Sequence, residues 1–132
     1  MDVAGLFIFG AGLLWTGATV HLVKNHVAKG GLGRNAAIGI RTRATTSSDT
    51  AWEAGHAAAA PLLTATCRTA YAAGALTWVS VLVLVLSDSG TPVVVALPAG
   101  GTVAVLVLLS AAARRANAAA RAAGDADGRP GP

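Results

Sequence analysis

The sequence predicts an all-α integral membrane protein with three transmembrane helices, and three observations predict it. Hydrophobic residues make up 54% of the 132 residues and charged residues only 12%, about half the charged share of a typical soluble domain. Mean hydropathy is +0.60. The charges are also segregated: Val3–Val23, Thr69–Leu86 and Pro92–Ala113 contain no Asp, Glu, Lys or Arg. About 20 helical residues suffice to cross the roughly 30 Å hydrocarbon core. This composition excludes an ordinary soluble enzyme and an intrinsically disordered chain, which needs low hydrophobicity. One cysteine, Cys67, excludes an internal disulfide framework and a multi-cysteine zinc site.

The first span is expected over about residues 3–23. Asp2 is the only charge before it, and the run is too long for the short apolar region of a cleaved signal peptide, which also wants a basic start. A polar, basic stretch from Lys24 to Ser48 follows, and Gly30, Gly31 and Gly33 break any helix there. Thr50-Ala-Trp-Glu53 fits a capping box, so a helix is expected from about Thr50. Its apolar and polar faces suggest an amphipathic helix at the membrane interface, with Pro61 kinking or ending it. The second span is expected over 68–86, with Arg68 snorkelling at its start. Ser87 to Gly90 reads as a turn and Thr91-Pro92 as N-cap plus first helical residue. The third span is expected over 92–113, bent by Pro98 and Gly100-Gly101. Residues 1–113 then form a single membrane domain. Residues 114–132 form a basic extension, helical to about Ala123, and a disordered tail of glycine, proline and charge.

The net charge of +4 does not point to nucleic acid, because no basic stripe is interleaved with aromatics. The cations instead alternate by loop. Six Lys/Arg lie in 24–68, four in the tail, and none in the turn between the second and third spans. Three spans with the N-terminus outside place both basic segments, the interfacial helix and the C-terminus in the cytoplasm.

The informative segment is RNAAIGIRTRATTSSDTAWEAGH, residues 34–56. Asn35, the Gly39-Ile40-Arg41-Thr42 core, Thr46, Ser48-Asp49, Trp52 and His56 give the pattern N-x3-GIRT-x5-SD-x2-W-x3-H. In this pattern, and in the two apolar runs after it, the chain resembles the SdpI family, bacterial membrane proteins named for a toxin-immunity protein. The resemblance covers about residues 30–113. Where the family commonly has proline after the Arg-Thr pair, this chain has Arg43. The resemblance implies a small integral membrane protein of the cell membrane. It also suggests immunity to a secreted toxin, or signalling by sequestration of a repressor. Asn35, Gly39, Arg41, Thr42, Ser48, Asp49, Trp52 and His56 become the candidate functional motif, with Arg41, Thr42, Trp52 and His56 as the candidate surface.

Elementary chemistry leaves several roles open for these residues. Arg41 and Arg43 could bind anionic lipid headgroups. Arg41 could pin the loop to Asp49 or Glu53, meet a partner carboxylate, or simply set topology. Trp52 and His56, four apart, share a helix face, as an interfacial anchor or as packing against the bundle. Asp49, Glu53 and His56 also align, but Glu53-x-x-His56 is only half of a di-metal pattern, and solvated capping charges are the simpler reading. No catalytic residue, cofactor or metal site is expected. The membrane runs lack the ionisable groups that mark ion pathways, Cys67 has no visible base, and Gly30-Gly31-x-Gly33 lacks the P-loop lysine. Hydroxyls such as Thr16, Thr19 and Thr77 are expected to bond within or between helices. Small residues four apart, Ala70 and Gly74, then Ala96, Gly100 and Ala104, mark candidate helix contacts, within the chain or in a homo-oligomer. The expected partners are therefore the bilayer and a protein: a toxin, a repressor or a membrane subunit. An accessory subunit of a larger membrane complex or transporter is the second reading.

Overall fold

The computed structural model describes residues 2–87 and 93–128. They form three helices, α1 (Val3–Ala28), α2 (Asp49–Ser87) and α3 (Val93–Asp127), with no strand among the described residues. At 1.5 Å per residue the helices are about 39, 58 and 52 Å long, and all three are long and apolar enough to cross a membrane. The expected turn at 88–90 and the Thr91-Pro92 cap lie outside the described residues, as do positions 129–132.

Each helix outruns its apolar run, for local reasons. Asp2 caps α1, its carboxylate accepting the Gly5 N–H at 2.7 Å. The helix closes at its other end with a Schellman motif: the Gly31 N–H donates to the His26 carbonyl and the Gly30 N–H to the Val27 carbonyl. Gly30 supplies the left-handed residue this turn requires, with φ of 72°. The Thr50–Glu53 capping box does not form. Ser48 caps α2 instead, its hydroxyl accepting the Ala51 N–H at 3.0 Å, which leaves the Glu53 carboxylate free of the cap.

The separate interfacial helix expected over 50–63 is also corrected. These residues are the first turns of one continuous α2, and Pro61 lies inside the helix without ending it. Pro61 itself is exposed, while Ala59, Leu63 and Cys67 on either side of it are buried. Packing at these flanking turns offsets the backbone hydrogen bond that proline cannot make. In α3 the helix likewise runs through Pro98 and continues past Ala123 to Asp127, where the sequence suggests disorder from Gly124.

Packing divides the chain into two compact units. The first comprises residues 1–20 and 65–108, the second residues 21–64 and 109–132. In the first unit Leu6, Val81 and Val94 form an apolar cluster, with Leu84 and Val95 against it. Its helices approach closely at glycines. A Cβ on Gly74 would lie 3.0 Å from the Gly10 carbonyl oxygen, and one on Gly17 would lie 3.3 Å from the Ala70 Cβ. Phe7 and Trp78 stack with ring centroids 4.5 Å apart, and the Trp78 indole N–H donates to the Phe7 carbonyl at 3.1 Å. Ile8, Trp15 and Leu86 point outward, each more than 70% exposed, the pattern of a surface whose solvent is lipid rather than water. Thr16, Thr19 and Thr77 each donate to the carbonyl four residues earlier in their own helix.

The third-helix contact differs from the spacing argument by one residue. Gly100 faces open space, whereas a Cβ on Gly101 would collide with the Ala73 Cβ. Ala96 is exposed and Ala104 half-buried. The buried face of α3 in this unit runs through Val94, Pro98 and Val105, and Gly101 belongs to it. Ala-rich sequence supplies small residues on every face, so spacing alone does not pick the face in contact.

Candidate functional site

The candidate motif lies in the second unit and forms a loop folded onto the first turns of α2. His56 and Trp52 are its floor. Both are buried, at 5% and 2% exposure, and their rings lie 4.1 Å apart, tilted at 40°. The Trp52 indole N–H donates to the Leu32 carbonyl at 3.0 Å. His56 Nδ1 faces the Trp52 carbonyl at 2.9 Å, while Nε2 accepts the Ile40 backbone N–H, also at 2.9 Å. A carbonyl on one side and an N–H on the other leave one consistent tautomer, neutral with the proton on Nδ1. Burial holds the ring's pKa below the ordinary 6.5, with the Trp52 carbonyl acting weakly in the other direction.

Gly39 lies over these two rings. Its φ is +126°, and a Cβ there would meet Trp52 Cη2 at 2.6 Å and His56 Nε2 at 3.1 Å. Only glycine meets both conditions, the backbone conformation and the contact.

Threonines and arginines brace the rest of the loop. Thr45 is fully buried. Its hydroxyl donates to the Ile40 carbonyl at 2.7 Å and receives the Thr42 N–H at 2.9 Å. The Thr42 hydroxyl donates to the Asn117 side-chain oxygen on α3. A Cβ contact at Gly55 brings the same stretch of α3 close, with the Ala116 carbonyl oxygen 3.0 Å away. Arg41 reaches back to the Arg34 carbonyl at 2.9 Å and to the Ala36 carbonyl. Arg34, not Arg41, pairs with Asp49, at 3.0 Å, and it also donates to the Ser47 carbonyl at 3.3 Å. The pin through Arg41 is therefore made to carbonyls, and the expected pairing with Asp49 or Glu53 is corrected.

The motif thus divides by role. Gly39, Trp52 and His56 form the interior, Thr42 is half-buried, and Ser48 is the cap. Asn35, Arg41 and Asp49 are exposed. Trp52 and His56 share a helix face as expected, but that face is covered by the motif's own loop, so it is neither a depth anchor in lipid nor a surface open to a partner. Asp49, Glu53 and His56 do not converge: Asp49 turns to Arg34 and His56 to Ile40.

Sequence spacing misses two contributions. Thr45 has no place in the motif yet is its most connected hydroxyl, and Asn117 lies 75 residues from its partner. A buried threonine between two loop segments leaves no periodic signal, and a lone asparagine in an alanine-rich helix leaves only a weak one. The second unit also contains a cavity of about 570 Å³ lined by residues of α1, the turn after it and α2, among them Lys24, Lys29, Glu53 and His56.

Three helices of this length and apolarity define a multi-pass helical membrane protein, here with a braced loop packed on the start of its second helix. The SdpI/YfhL protein family matches residues 32–113, more than half of the chain, and the chain belongs to that family. No curated protein matches it, nor does any solved structure.

Proposed function

We propose that this chain is a non-enzymatic SdpI-like protein of the cell membrane that works by binding, in immunity to a secreted toxin or in envelope signalling. The observation that carries the reading is how the motif spends its groups. Its buried members are consumed in bracing the loop, while Asn35, Ile38, Arg41 and Arg43 stay exposed along it, Ile38 at 50% and Arg41 while also bonding the loop's own carbonyls. A preordered loop loses less entropy when it docks, and an apolar side chain among cations suits a partner with a hydrophobic, acidic patch.

The positive-inside bias orients this face to the cytoplasm, with the N-terminus outside and the C-terminus inside. There Arg41 and Arg43 also meet anionic headgroups. A toxin, a repressor or a membrane subunit is the partner class.

The test is affinity purification from native membranes in mild detergent, with wild type beside Ile38→Asp and Arg43→Glu. One protein retained by wild type and lost from both variants is the expected result. Identical recovery from all three refutes the loop as the binding face. Orientation is read separately by placing a cysteine at Arg43 in a Cys67→Ala background. A membrane-impermeant maleimide should label it only after the cells are opened.

A further inference from the structure

The cavity of the second unit is not used by the braced loop, and its lining is chemically specific. Lys24 and Lys29 line it from the end of α1 and the residue after it and Glu53 from α2, with Val27, Ala57 and Leu63 supplying apolar surface. Its volume, about 570 Å³, falls within the range of roughly 300–1,000 Å³ typical of small-ligand sites. Among the described residues, the side chains of Lys24, Lys29 and Glu53 form no ion pair or hydrogen bond. His56 has both ring nitrogens engaged elsewhere and offers only a ring edge. Three unpaired charges of both signs around one apolar-floored cavity match a ligand that itself carries both signs.

Position along the chain narrows the ligand further. Lys24 directly follows the charge-free run Val3–Val23, which places it at the depth where a span ends and headgroups begin. We propose that this cavity binds a phospholipid headgroup bearing a phosphodiester and a primary amine, the phosphate held by Lys24 and Lys29 and the ammonium by Glu53. The same chemistry is available from a soluble source, glycerophosphoethanolamine. The apolar lining favours the lipid, because a soluble headgroup gives Val27, Ala57 and Leu63 nothing to bury. The site is separate from the outward loop face, so it stands whether or not that face binds a partner.

The experiment is native mass spectrometry of the delipidated full chain in detergent. The protein is offered equal amounts of phosphatidylethanolamine, phosphatidylcholine and phosphatidylglycerol, as wild type, as Glu53→Gln and as the double variant Lys24→Gln/Lys29→Gln. Wild type should retain phosphatidylethanolamine above the other two. Glu53→Gln should lose that preference and gain phosphatidylglycerol. The double variant should lose retention of all three by roughly 30-fold, from two basic residues at the membrane surface. Hydrogen exchange of residues 32–48 should be unchanged in both variants, since none of the three side chains braces the loop. Uniform retention by wild type, a preference for another lipid, or adducts indifferent to the substitutions would each overturn the proposal. Displacement of the lipid by micromolar glycerophosphoethanolamine would assign the site to the soluble ligand and overturn the lipid assignment.

Discussion

Replacing Gly39 with alanine tests the architecture of the motif loop most directly. Two costs follow from its surroundings. At φ of +126° a residue with a Cβ sits in a region that costs about 1–3 kcal/mol. The new methyl would also lie 2.6 Å from Trp52 Cη2, and Trp52 is held in place by its bond to Leu32. The ring therefore cannot swing away without breaking that bond, and overpacking of this kind costs about 1–3 kcal/mol more. The loop should lose about 2–6 kcal/mol of local stability, and even the lower bound corresponds to roughly 30-fold in an opening equilibrium. Hydrogen exchange read by mass spectrometry is the assay. Amides of residues 32–48 should lose at least that factor of protection in Gly39→Ala, while those of 69–86 in the first unit stay as they are. Gly33→Ala is the control, because a Cβ there meets nothing within 4 Å. Wild-type protection in Gly39→Ala, or equal loss in both variants, would refute the packing of Gly39 on Trp52 and His56.

Further outcomes follow from the same geometry. Gly101→Leu should lower the melting temperature in mild detergent, while Gly100→Leu leaves it near wild type; the reverse order would restore the Ala96–Gly100–Ala104 face as the one in contact. Since the folded His56 resists the proton that the unfolded ring accepts below its ordinary 6.5, loop stability should be full above pH 6.5 and fall as the pH drops below it. Exchange measured from pH 8 to pH 5, corrected for intrinsic rates, checks this, and a loop equally protected at both ends of the range contradicts it. Ser48→Ala should cost about 1 kcal/mol at any ionic strength. Asp49→Asn should cost less than about 1 kcal/mol and less still in high salt, because its ion pair is largely solvated; denaturant titrations at two salt concentrations separate the two.

The three helices were legible because burying backbone in lipid demands long charge-free runs, and such runs survive in any reading of the sequence. Their ends were less legible. Pro61 reads as a breaker, yet its neighbours Ala59 and Leu63 are held by tertiary packing that no local propensity encodes. Ser48 and Thr50 are equally good caps on paper, and only the fold of the preceding loop selects Ser48. At the site, the spacing of Trp52 and His56 placed them correctly on one face but not on its occupant, since the covering residue, Gly39, has no side chain to announce itself. Arg34 rather than Arg41 pairs with Asp49 for a related reason. Both are cations of the loop that precedes Asp49, and the turn of that loop decides which one arrives.

The bond between Thr42 and Asn117 also carries a consequence in time. A ribosome adding about 5–20 residues per second needs roughly 4–15 s to make the 75 residues that separate these partners. Gly39, Trp52 and His56 emerge early and can meet one another at once. Ala116 and Asn117, the α3 neighbours of Gly55 and Thr42, are still unmade. The nascent loop therefore passes through an interval in which Thr42 lacks its α3 partner while Thr45 can already bond Ile40 and Thr42, and a chain truncated before Asn117 would stay in that unfinished state.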